Sequence, residues 1–375
     1  MAMHGLPLGG AEKFFVRLAR ALDANHEITC YVPCLRGGDA GLAGQLRDLS
    51  VISIPGFGRL GYRLFYKITL MLRQRFPGCD PEAVLHDKVL ARLHGKHSFD
   101  VVNPHLMEAT RQTCRAFRRI KLPIAESDHG HYAVVDAGNP GPAEIVFQRL
   151  NALVCPSQAN VHRADCFPWH KGFRTFTIPY GYEPPSGIQP KIAEDTITFG
   201  MVARGVEQKG WNEALAAARI VRSRITRPLK LVFVGGGHCL DALRLKTHEP
   251  WVIFAGRQDE PEFFIQQFDV GLLPTCLKEE SLPNSIIEYL ACGKPVIATS
   301  IGGIPEMTGN AGMLIPLDAA GRADVPALAE AMEQLATNPA LHQALAAQTG
   351  TAFARFRMDK CVRAYEEAFA SLLTA

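Results

Sequence analysis

The stretch KEESLPNSIIEYLACGKPVIA, residues 278–298, contains a loop, a helix and an apolar strand in direct succession. Pro283 ends the loop, Asn284 and Ser285 are residue types that favour a helix N-cap, and the apolar residues that follow recur at helical spacing. Gly293 indicates the helix end, and an apolar run typical of a buried strand comes next. The stretch therefore predicts one unit of an α/β fold with a parallel sheet.

Two acidic residues bracket the helix start in this stretch. Glu280 lies in the loop and Glu288 on the first turns of the helix. The N–H groups and partial positive charge at that helix end suit a phosphate, and a loop carboxylate can accept hydrogen bonds from sugar hydroxyls. The pattern favours a site for a sugar joined to a phosphate. The alternative is that both glutamates are solvated charges on the surface of the protein.

The same alternation of short apolar runs and helical segments continues along the whole chain and forms two blocks. It predicts two doubly wound α/β domains, with ligands bound in a cleft at the carboxyl ends of both sheets. We predict domains over residues 1–183 and 184–355, a last helix over 356–375, and a linker in the Pro-rich segment 183–195. The predicted strands are 27–32, 51–54, 101–103, 124–127, 152–155 and 175–178 in the first block, and 196–202, 230–234, 251–254, 270–273, 295–298 and 312–315 in the second. Helices are predicted in the first block around 11–23, 62–74, 82–94, 108–119, 143–149 and 158–165.

Composition narrows the class of protein. The chain has 375 residues, of which 47% are hydrophobic and 21% are charged, and this is typical of a folded globular protein. Its ten cysteines include no C-x-x-C pair, which favours reduced core residues and a cytoplasmic location. No apolar run approaches the roughly 20 residues of a membrane span, and no signal-peptide core is present.

The net charge of +3 is unevenly distributed. Residues 1–183 hold 22 Lys and Arg against 16 Asp and Glu, a net of +6, whereas the rest of the chain has a net of −3. The excess lies in a predicted helix where basic and apolar residues alternate. Such a helix could lie on an anionic membrane, present a solvated basic face, or border a cleft for a phosphorylated acceptor. Its basic residues are Arg59, Arg63, Lys67, Arg73 and Arg75.

Three further predicted loops contain candidate ligand-binding residues. Gly9 and Gly10 open the first helix, where backbone can approach a ligand closely and N–H groups can bind an anion. Arg204 and Lys209 follow a strand, and two cations there suit a diphosphate. The strand that ends at Gly235 leads into a glycine-rich turn. Ordinary turns and a surface pair of cations are the alternatives for these positions.

The segment 123–131 ends a predicted strand in two histidines, His129 and His131. An H-x-H pair without further spaced ligands is a weak indication of a metal site. His105, upstream, is a weaker candidate for the same region, and each of these side chains could simply line a cleft or pack in the core.

Together these motifs resemble the E-x7-E signature and associated loops of retaining GT-B glycosyltransferases, in particular glycosyltransferase family 4. The resemblance implies the GT-B fold, two Rossmann-like domains that face each other across a cleft. It implies that Glu280 contacts the donor sugar and Glu288 the ribose, that Arg204 and Lys209 hold the donor phosphates, and that His129 reaches the donor sugar and the acceptor. Further donor-binding positions on this resemblance are Gly9, Gly10, Gly235, Asn284, Ser285 and Ile286.

The implied activity is transfer of a sugar, with retention of anomeric configuration, from a nucleotide diphosphate sugar to a glycan, lipid-linked or lipopolysaccharide-type acceptor. We expect no metal, no other cofactor and no nucleic-acid partner, and a cytoplasmic protein that could also contact the inner face of the membrane. Alternative functions are a nucleotide-sugar-binding protein with impaired catalysis, or a GT-B relative with another reaction, such as a sugar-nucleotide epimerase.

Three departures from the family's pattern stand out. Ser281 replaces a usual glycine, and we expect it to be tolerated unless that position needs a positive φ. Tyr180 stands where the family often has asparagine. Only eight residues precede Gly9, so we expect the first strand to be truncated.

Overall fold

A computed structural model of the protein describes residues 1–7, 9–33, 39–53, 59–76, 81–130, 132, 148–166, 173–185, 187, 195–278 and 280–374. The chain divides into two compact units, the first built from residues 1–181 and 358–375 and the second from residues 182–357. The predicted domain boundaries lie two residues from these divisions. Most of the predicted helix over 143–149 and of the predicted linker over 183–195 lies outside the described residues.

The first unit contains short parallel strands and seven helices among its described residues. The helices are α1 (Gly10–Asp23), α2 (Ala40–Gln45), α3 (Arg59–Arg75), α4 (Pro81–His97), α5 (Met107–Ala116), α6 (Gln158–Asp165) and α14 (Met358–Leu373). The strands are β1 (Thr29–Tyr31), β2 (Ser50–Ile52), β3 (Ala125–Ser127), β4 (Ala152–Cys155) and β5 (Arg174–Thr177).

Isolated bridges connect the two parallel sheets of this unit, β1-β2 and β3-β4-β5. Ala2 pairs in parallel with Tyr31 on one side and with Pro104 on the other, and Val102 pairs with Ile124. The spatial order β2, β1, Ala2, 102–105, β3, β4, β5 is that of a doubly wound sheet. The predicted strand over 101–103 was wrong in that it forms single bridges only, since Pro104 has no N–H with which to continue the ladder.

The last helix, α14, packs in the first unit. The Tyr365 hydroxyl lies 2.8 Å from Ser127 Oγ, Glu366 Oε1 lies 2.9 Å from His26 Nε2, and Arg174 donates to the Ser371 carbonyl at 2.7 Å. These bonds span more than 190 residues of sequence. They attach the end of the chain to the unit that holds its beginning.

The second unit is a six-stranded, wholly parallel sheet with helices between its strands. The strands are β6 (Ile197–Val202), β7 (Leu229–Val234), β8 (Val252–Gly256), β9 (Val270–Leu273), β10 (Val296–Thr299) and β11 (Gly312–Ile315). Their spatial order is β11-β10-β9-β6-β7-β8, so the order reverses between β6 and β9. The helices are α7 (Trp211–Arg224), α8 (His238–Lys246), α9 (Glu262–Ile265), α10 (Asn284–Ala291), α11 (Ile304–Thr308), α12 (Val325–Thr337) and α13 (Pro339–Phe353).

The core of the second unit also positions its first loop. Trp211, the first residue of α7, is fully buried and packs edge-on against Phe233 with ring centroids 5.2 Å apart. Its indole Nε1 donates to the Arg204 carbonyl at 3.1 Å. Truncation of such a side chain typically costs about 3–5 kcal/mol. The loop after β6 is therefore attached to the best-packed part of the unit.

Candidate functional site

In the second unit the loop after β6 carries both predicted cations. Val206 N donates to the Arg204 carbonyl at 2.8 Å and Lys209 N donates to the Val206 carbonyl at 3.2 Å, which closes a tight turn. Gly210 ends this turn at φ 86, where a Cβ would lie 2.0 Å from the Pro274 carbonyl oxygen. Only glycine allows this approach, so the turn rests directly on the residue that follows β9.

Lys209 and Glu280 form a buried ion pair between the loops that follow β6 and β9. Their side chains are 9% and 8% exposed. Thr275 Oγ1 lies 3.0 Å from Glu280 Oε2, and Cys276 N donates to the Gln208 carbonyl at 2.8 Å. Because the strand order reverses between β6 and β9, these loops border the crevice where open α/β sheets bind ligands. Two predicted site residues 71 positions apart in sequence are thus in contact.

Arg204 presents the second cation of this loop. Its side chain is exposed, and within the described part of the chain its guanidinium has no ion-pair partner. The neighbouring Arg322, by contrast, is neutralised by Glu207 and Glu213 at 2.7 and 2.6 Å. The net positive charge of the loop therefore comes from Arg204, whose five N–H donors suit a phosphate.

The Glu280 loop is held from the other side by the loop after β10. Gly302 has φ 54, and a Cβ there would lie 1.9 Å from the Glu280 carbonyl oxygen. Gly303 N donates to the Ser281 carbonyl at 3.0 Å. Ser281 is not among the described non-glycine residues with positive φ, so its side chain introduces no backbone strain. The departure from glycine at this position is accommodated.

Helix α10 begins at Asn284, and its N-cap is Pro283 in an extended conformation without a side-chain cap. The predicted N-caps, Asn284 and Ser285, were wrong because both lie inside the first turn. Pro283 has no side chain that could accept a hydrogen bond from the helix amides. The positive end of the helix dipole therefore meets no capping acceptor from this residue.

Burial decides between the two interpretations of the paired glutamates. Glu280 and Glu288 are 6% and 3% exposed, so neither is a solvated surface charge. Ile286 is fully buried and Ser285 is 9% exposed, which places the beginning of α10 under the loop rather than in solvent. A buried carboxylate requires partners, and such residues are concentrated at binding sites.

The glycine-rich turn after β7 packs on the Arg204 loop. Gly205 N donates to the Gly236 carbonyl at 2.9 Å and Cys239 N donates to the Gly205 carbonyl at 3.0 Å. At Gly235 a Cβ would lie 2.1 Å from the Ala203 carbonyl oxygen. The turn that contains Gly235 thus lies beside Arg204 at the carboxyl end of the sheet.

In the first unit His129 follows β3 in a well-defined turn. Asp128 Oδ1 accepts from Gly130 N at 3.0 Å, and its Oδ2 accepts from Asn160 Nδ2 at 2.8 Å. His129 Nδ1 lies 2.7 Å from the Tyr180 hydroxyl. Burial lowers the pKa of His129 to about 3, so the imidazole is neutral at neutral pH.

His105, a weaker candidate in the sequence, contacts His129: His129 Nε2 lies 3.0 Å from His105 Nδ1. Burial and the neighbouring His129 hold the pKa of His105 well below its usual range. Both ring nitrogens of His129 are therefore engaged inside the first unit. His131, the other predicted candidate, lies outside the described residues.

The Gly9–Gly10 pair begins the helix that packs on these histidines. Gly9 is the extended N-cap of α1, and a Cβ there would lie 2.2 Å from Glu12 Oε2. Phe14, on the next turn, has its ring centroid 4.5 Å from Tyr180 and 6.0 Å from His129. The helix that Gly9 and Gly10 open therefore packs against His129 and Tyr180 through Phe14.

Sequence reasoning did not identify Thr275, Asn103 or Tyr180 as site neighbours. Asn103 and His105 stand at the end of an apolar segment, DVVNPH, which is a usable signal for a strand-end site. Thr275 and Tyr180 carry no comparable local signal, because their contacts come from distant segments.

No set of three or more His, Cys, Asp and Glu side chains suited to a metal ion occurs among the described residues. Over the same residues, every helix is too short or too polar to cross a bilayer.

The second unit is similar in sequence to known proteins. Residues 196–338 match the family described as "Glycosyl transferases group 1". The chain is 30% identical over 151 residues to N-acetyl-alpha-D-glucosaminyl L-malate synthase from Bacillus anthracis, an alignment that covers 38% of each protein. It is 25% identical over 162 residues to the capsular polysaccharide biosynthesis glycosyltransferase CapM from Staphylococcus aureus, covering 41% of this chain and 40% of CapM. The matches thus span about two fifths of these relatives' own length.

Among solved structures, HepE from Anabaena in complex with UDP-glucose superimposes with a TM-score of 0.74 at 16% identity, covering 99% of this chain and 98% of HepE. At this identity the likeness establishes the fold, and the parallel sheets agree with the predicted GT-B class. The buried Lys209–Glu280 pair and its surrounding loops lie inside the matched segment, residues 196–338. The protein therefore has a GT-B fold, and residues 196–338 of its second unit are similar in sequence to the glycosyl transferases group 1 family.

Proposed function

We propose that the protein transfers a sugar from a nucleotide diphosphate sugar to a glycan, lipid-linked or lipopolysaccharide-type acceptor, with retention of anomeric configuration. The observation that carries the proposal is the buried Lys209–Glu280 pair in the loops after β6 and β9. A cation for phosphate and a carboxylate for sugar hydroxyls meet there at the switch point of a parallel sheet.

The two ends of such a donor match the charges around the pair. Arg204 provides an exposed guanidinium with no ion-pair partner in the described segments, and the positive end of α10 begins three residues after Ser281. Charge-assisted hydrogen bonds of this kind contribute about 1.5–3 kcal/mol each. HepE, which shares the fold, binds UDP and UDP-glucose. Its ligands support a nucleotide sugar as the donor class.

The chemical step that we propose is departure of the nucleoside diphosphate. As the glycosidic bond breaks, negative charge develops on the leaving oxygen, and Arg204, Lys209 and the α10 amides stabilise that charge. We propose that these groups make a metal ion and other cofactors unnecessary. Because a stabilised diphosphate leaves without being protonated beforehand, the site needs no general acid. We expect turnover to be unchanged after exhaustive chelation of metal ions. A loss of turnover that added magnesium restores would contradict the proposal that the reaction needs no metal ion.

Retention is proposed to follow from attack by the acceptor hydroxyl on the same face of the sugar as the departing diphosphate. The new bond from the anomeric carbon to the acceptor oxygen forms as the bond to the diphosphate oxygen breaks, and the hydroxyl proton passes to that departing oxygen. Glu280 then orients the sugar ring, and His129 is proposed to accept a hydrogen bond from a ligand hydroxyl as a neutral imidazole. Glu288 binds the ribose in this proposal. The anomeric configuration of the product, measured by NMR from the coupling constant of the new anomeric proton, tests retention directly.

The membrane is proposed as a peripheral partner through helix α3. Leu64, Ile68 and Met71 recur along one face and are 61, 45 and 68% exposed, and Lys67 and Arg75 are exposed on the same helix. An apolar face with flanking cations suits an anionic bilayer surface. The side chains of the other three basic residues predicted here, Arg59, Arg63 and Arg73, lie outside the part that the structure describes.

Co-sedimentation with vesicles tests this partner. We expect binding to vesicles with 30% anionic lipid, weak binding to neutral ones, and loss of binding in Ile68→Gln/Met71→Gln. Equal binding of the variant and the parent protein would contradict the proposal.

A panel of nucleotide sugars, with and without acceptor, tests the proposed activity. Release of nucleoside diphosphate with one donor, together with a strong increase when a matching glycan is added, is the expected outcome. Donor binding without release would favour a binding protein, and conversion of the donor sugar to its epimer would favour a different reaction.

Site-directed variants then test the assignment. Glu280→Gln, which keeps the shape of the side chain, should lower turnover by orders of magnitude. The matched control is Glu207→Gln, on the same loop as Lys209 but paired with Arg322, which should keep most of the activity. Full turnover in Glu280→Gln would overturn the site.

A further inference from the structure

A continuous hydrogen-bonded chain of side chains runs through the first unit beneath α1. It passes from the Tyr180 hydroxyl to His129, from His129 to His105, and from His105 to Asn103. His105 and Asn103 are 0% and 2% exposed. Each link is between 2.7 and 3.0 Å. Because His105 and Asn103 are shielded from water, their hydrogen-bond partners within the chain decide where their protons lie.

The direction of the chain is set at Asn103. Its Nδ2 lies 2.6 Å from the Ala125 carbonyl oxygen, which can only accept. The amide nitrogen must therefore face β3, and the amide oxygen Oδ1 must face His105, where it lies 2.8 Å from Nε2. An oxygen acceptor at that distance requires a proton on His105 Nε2.

The proton positions of the two rings then follow in order. A neutral His105 that is protonated on Nε2 has a lone pair on Nδ1, and this atom lies 3.0 Å from His129 Nε2. His129 must donate there, so its own proton is on Nε2 and its Nδ1 carries the lone pair. The Tyr180 hydroxyl, 2.7 Å away, donates to Nδ1. The opposite assignment would leave two lone pairs facing each other.

We propose that Asn103 and His105 are positioning residues that hold His129 in the Nε2–H tautomer and in one ring orientation, so that the ring offers a ligand an acceptor at Nδ1. The hydroxyl of a sugar or of an acceptor would then donate to His129 in place of Tyr180. The ligand part of this inference rests on the proposed function, whereas the tautomer part rests on the hydrogen bonds alone.

Ring nitrogen–proton correlation spectra of protein with 15N-labelled histidine test the tautomers without any ligand. Comparison with His129→Gln and with His105→Gln assigns the two rings. We expect both in the Nε2–H form at neutral pH in the parent protein. A His129 that carries its proton on Nδ1, or one that is doubly protonated at pH 7, would overturn the inference.

Three variants separate positioning from general structural support. Asn103→Leu removes the acceptor for His105, and we expect both rings to become mixtures of tautomers. Asn103→Gln keeps both an amide oxygen for His105 and an amide N–H donor, and it should retain the Nε2–H form. Ser127→Ala removes the other acceptor of the Asn103 amide, 3.0 Å away, but leaves the Ala125 carbonyl, so the parent spectrum should persist. Unchanged tautomers in Asn103→Leu would overturn the inference.

Steady-state kinetics tests whether the position of His129 matters for turnover. Asn103→Leu should lower kcat at least tenfold with little change in the donor KM, and Asn103→Gln should recover part of the loss. If the parent protein turns over no donor, the proposed function fails while the tautomer result stands. If the parent is active and Asn103→Leu keeps its kcat, the positioning role fails instead.

Discussion

The pairing of Lys209 with Glu280 has consequences for stability as well as for ligand binding. Both side chains are less than a tenth exposed, and removal of one partner leaves an unpaired buried charge, which costs about 3–5 kcal/mol. Lys209→Met alone should therefore lower the free energy of unfolding markedly. The double variant Lys209→Met/Glu280→Leu should regain most of that loss while remaining inactive.

Urea denaturation and nucleoside diphosphate release measure the two quantities for this pair. Additive losses of stability in the double variant would show that the charges do not interact. Recovered activity in the double variant would show that they do not bind the donor.

A second prediction concerns Gly302, which contacts the Glu280 backbone. A methyl group there meets the Glu280 carbonyl oxygen at 1.9 Å in addition to the cost of a positive φ. Gly302→Ala should displace the Glu280 backbone and weaken donor binding at least tenfold. The matched control is Gly321→Ala, at φ 74 with no neighbour within 4 Å, which should cost about 1 kcal/mol of stability and leave donor binding intact. Calorimetric titration with the donor compares them, and equal affinities would contradict the prediction.

Glu126 in β3 makes stability depend on pH. Its carboxyl is fully buried and accepts from the Tyr132 hydroxyl at 2.5 Å, and burial raises its pKa from 4.5 to about 8. The folded state keeps a proton that the unfolded chain releases, so the stabilisation is complete below pH 4.5 and is lost as pH rises through about 8, by up to about 1.4 kcal/mol per pH unit.

His129 has the opposite effect on the pH dependence of stability. Its folded-state pKa of about 3 makes stability fall as pH drops below 6.5, so Glu126 is best observed above that pH. We expect the melting temperature of the parent protein to fall between pH 6.5 and 8.5, and that of Glu126→Gln to change much less. Parallel melting curves for the two proteins would contradict this assignment.

At the scale of elements, the start of α10 is the feature to test. Pro283 provides no side-chain capping acceptor, and the proposed function places the donor diphosphate at this positive helix end. Pro283→Asp would add a carboxylate cap, worth about 1 kcal/mol to the helix, that competes with and repels a diphosphate. We expect a higher melting temperature and at least tenfold weaker nucleoside diphosphate binding.

Two controls accompany this helix variant. Pro283→Ala removes the proline without adding an acceptor, so its affinity for the nucleoside diphosphate should be close to that of the parent protein. Pro283→Asn adds a neutral cap, so its affinity should lie between those of the parent protein and Pro283→Asp. Stronger nucleotide binding in Pro283→Asp would show that no anion lies at this helix end.

At the scale of the whole molecule, α14 belongs to the first unit although it follows the second in sequence. Leu372 packs in a buried cluster with Ala125 of β3 and Ala152 of β4, and Tyr365 is fully buried beside Ser127. Deletion of residues 358–375 should expose one face of β3 and β4. Hydrogen exchange should then show loss of protection in residues 1–181 and little change in 182–357. Uniform loss across both units would contradict this division.

Local patterns predicted most strands to within two residues. β4, β9 and β11 agree in both bounds with the predicted 152–155, 270–273 and 312–315, because continuous apolar runs between turn residues are strong strand signals. The strand predicted over 101–103 was wrong, because a strand is defined by its hydrogen bonds to neighbouring strands and not by its own hydrophobicity. The predicted α10 N-cap was wrong for a related reason: Asn284 and Ser285 both favour an N-cap by residue type, but in the folded chain the helix begins at Asn284 and Pro283 is the N-cap.

The candidate residues Arg204, Lys209, Glu280 and His129 could be chosen from chain composition and motif, because the residue types required by a diphosphate and a sugar recur at strand ends. Their partners could not. The contact of Lys209 with Glu280 spans 71 positions, and the path from Tyr180 to Asn103 joins four residues from three segments. Local sequence determines which groups are available, through side-chain chemistry and backbone propensity. Only the folded chain decides which of them meet, become buried and lose a proton, because those properties depend on distance and on the exclusion of water.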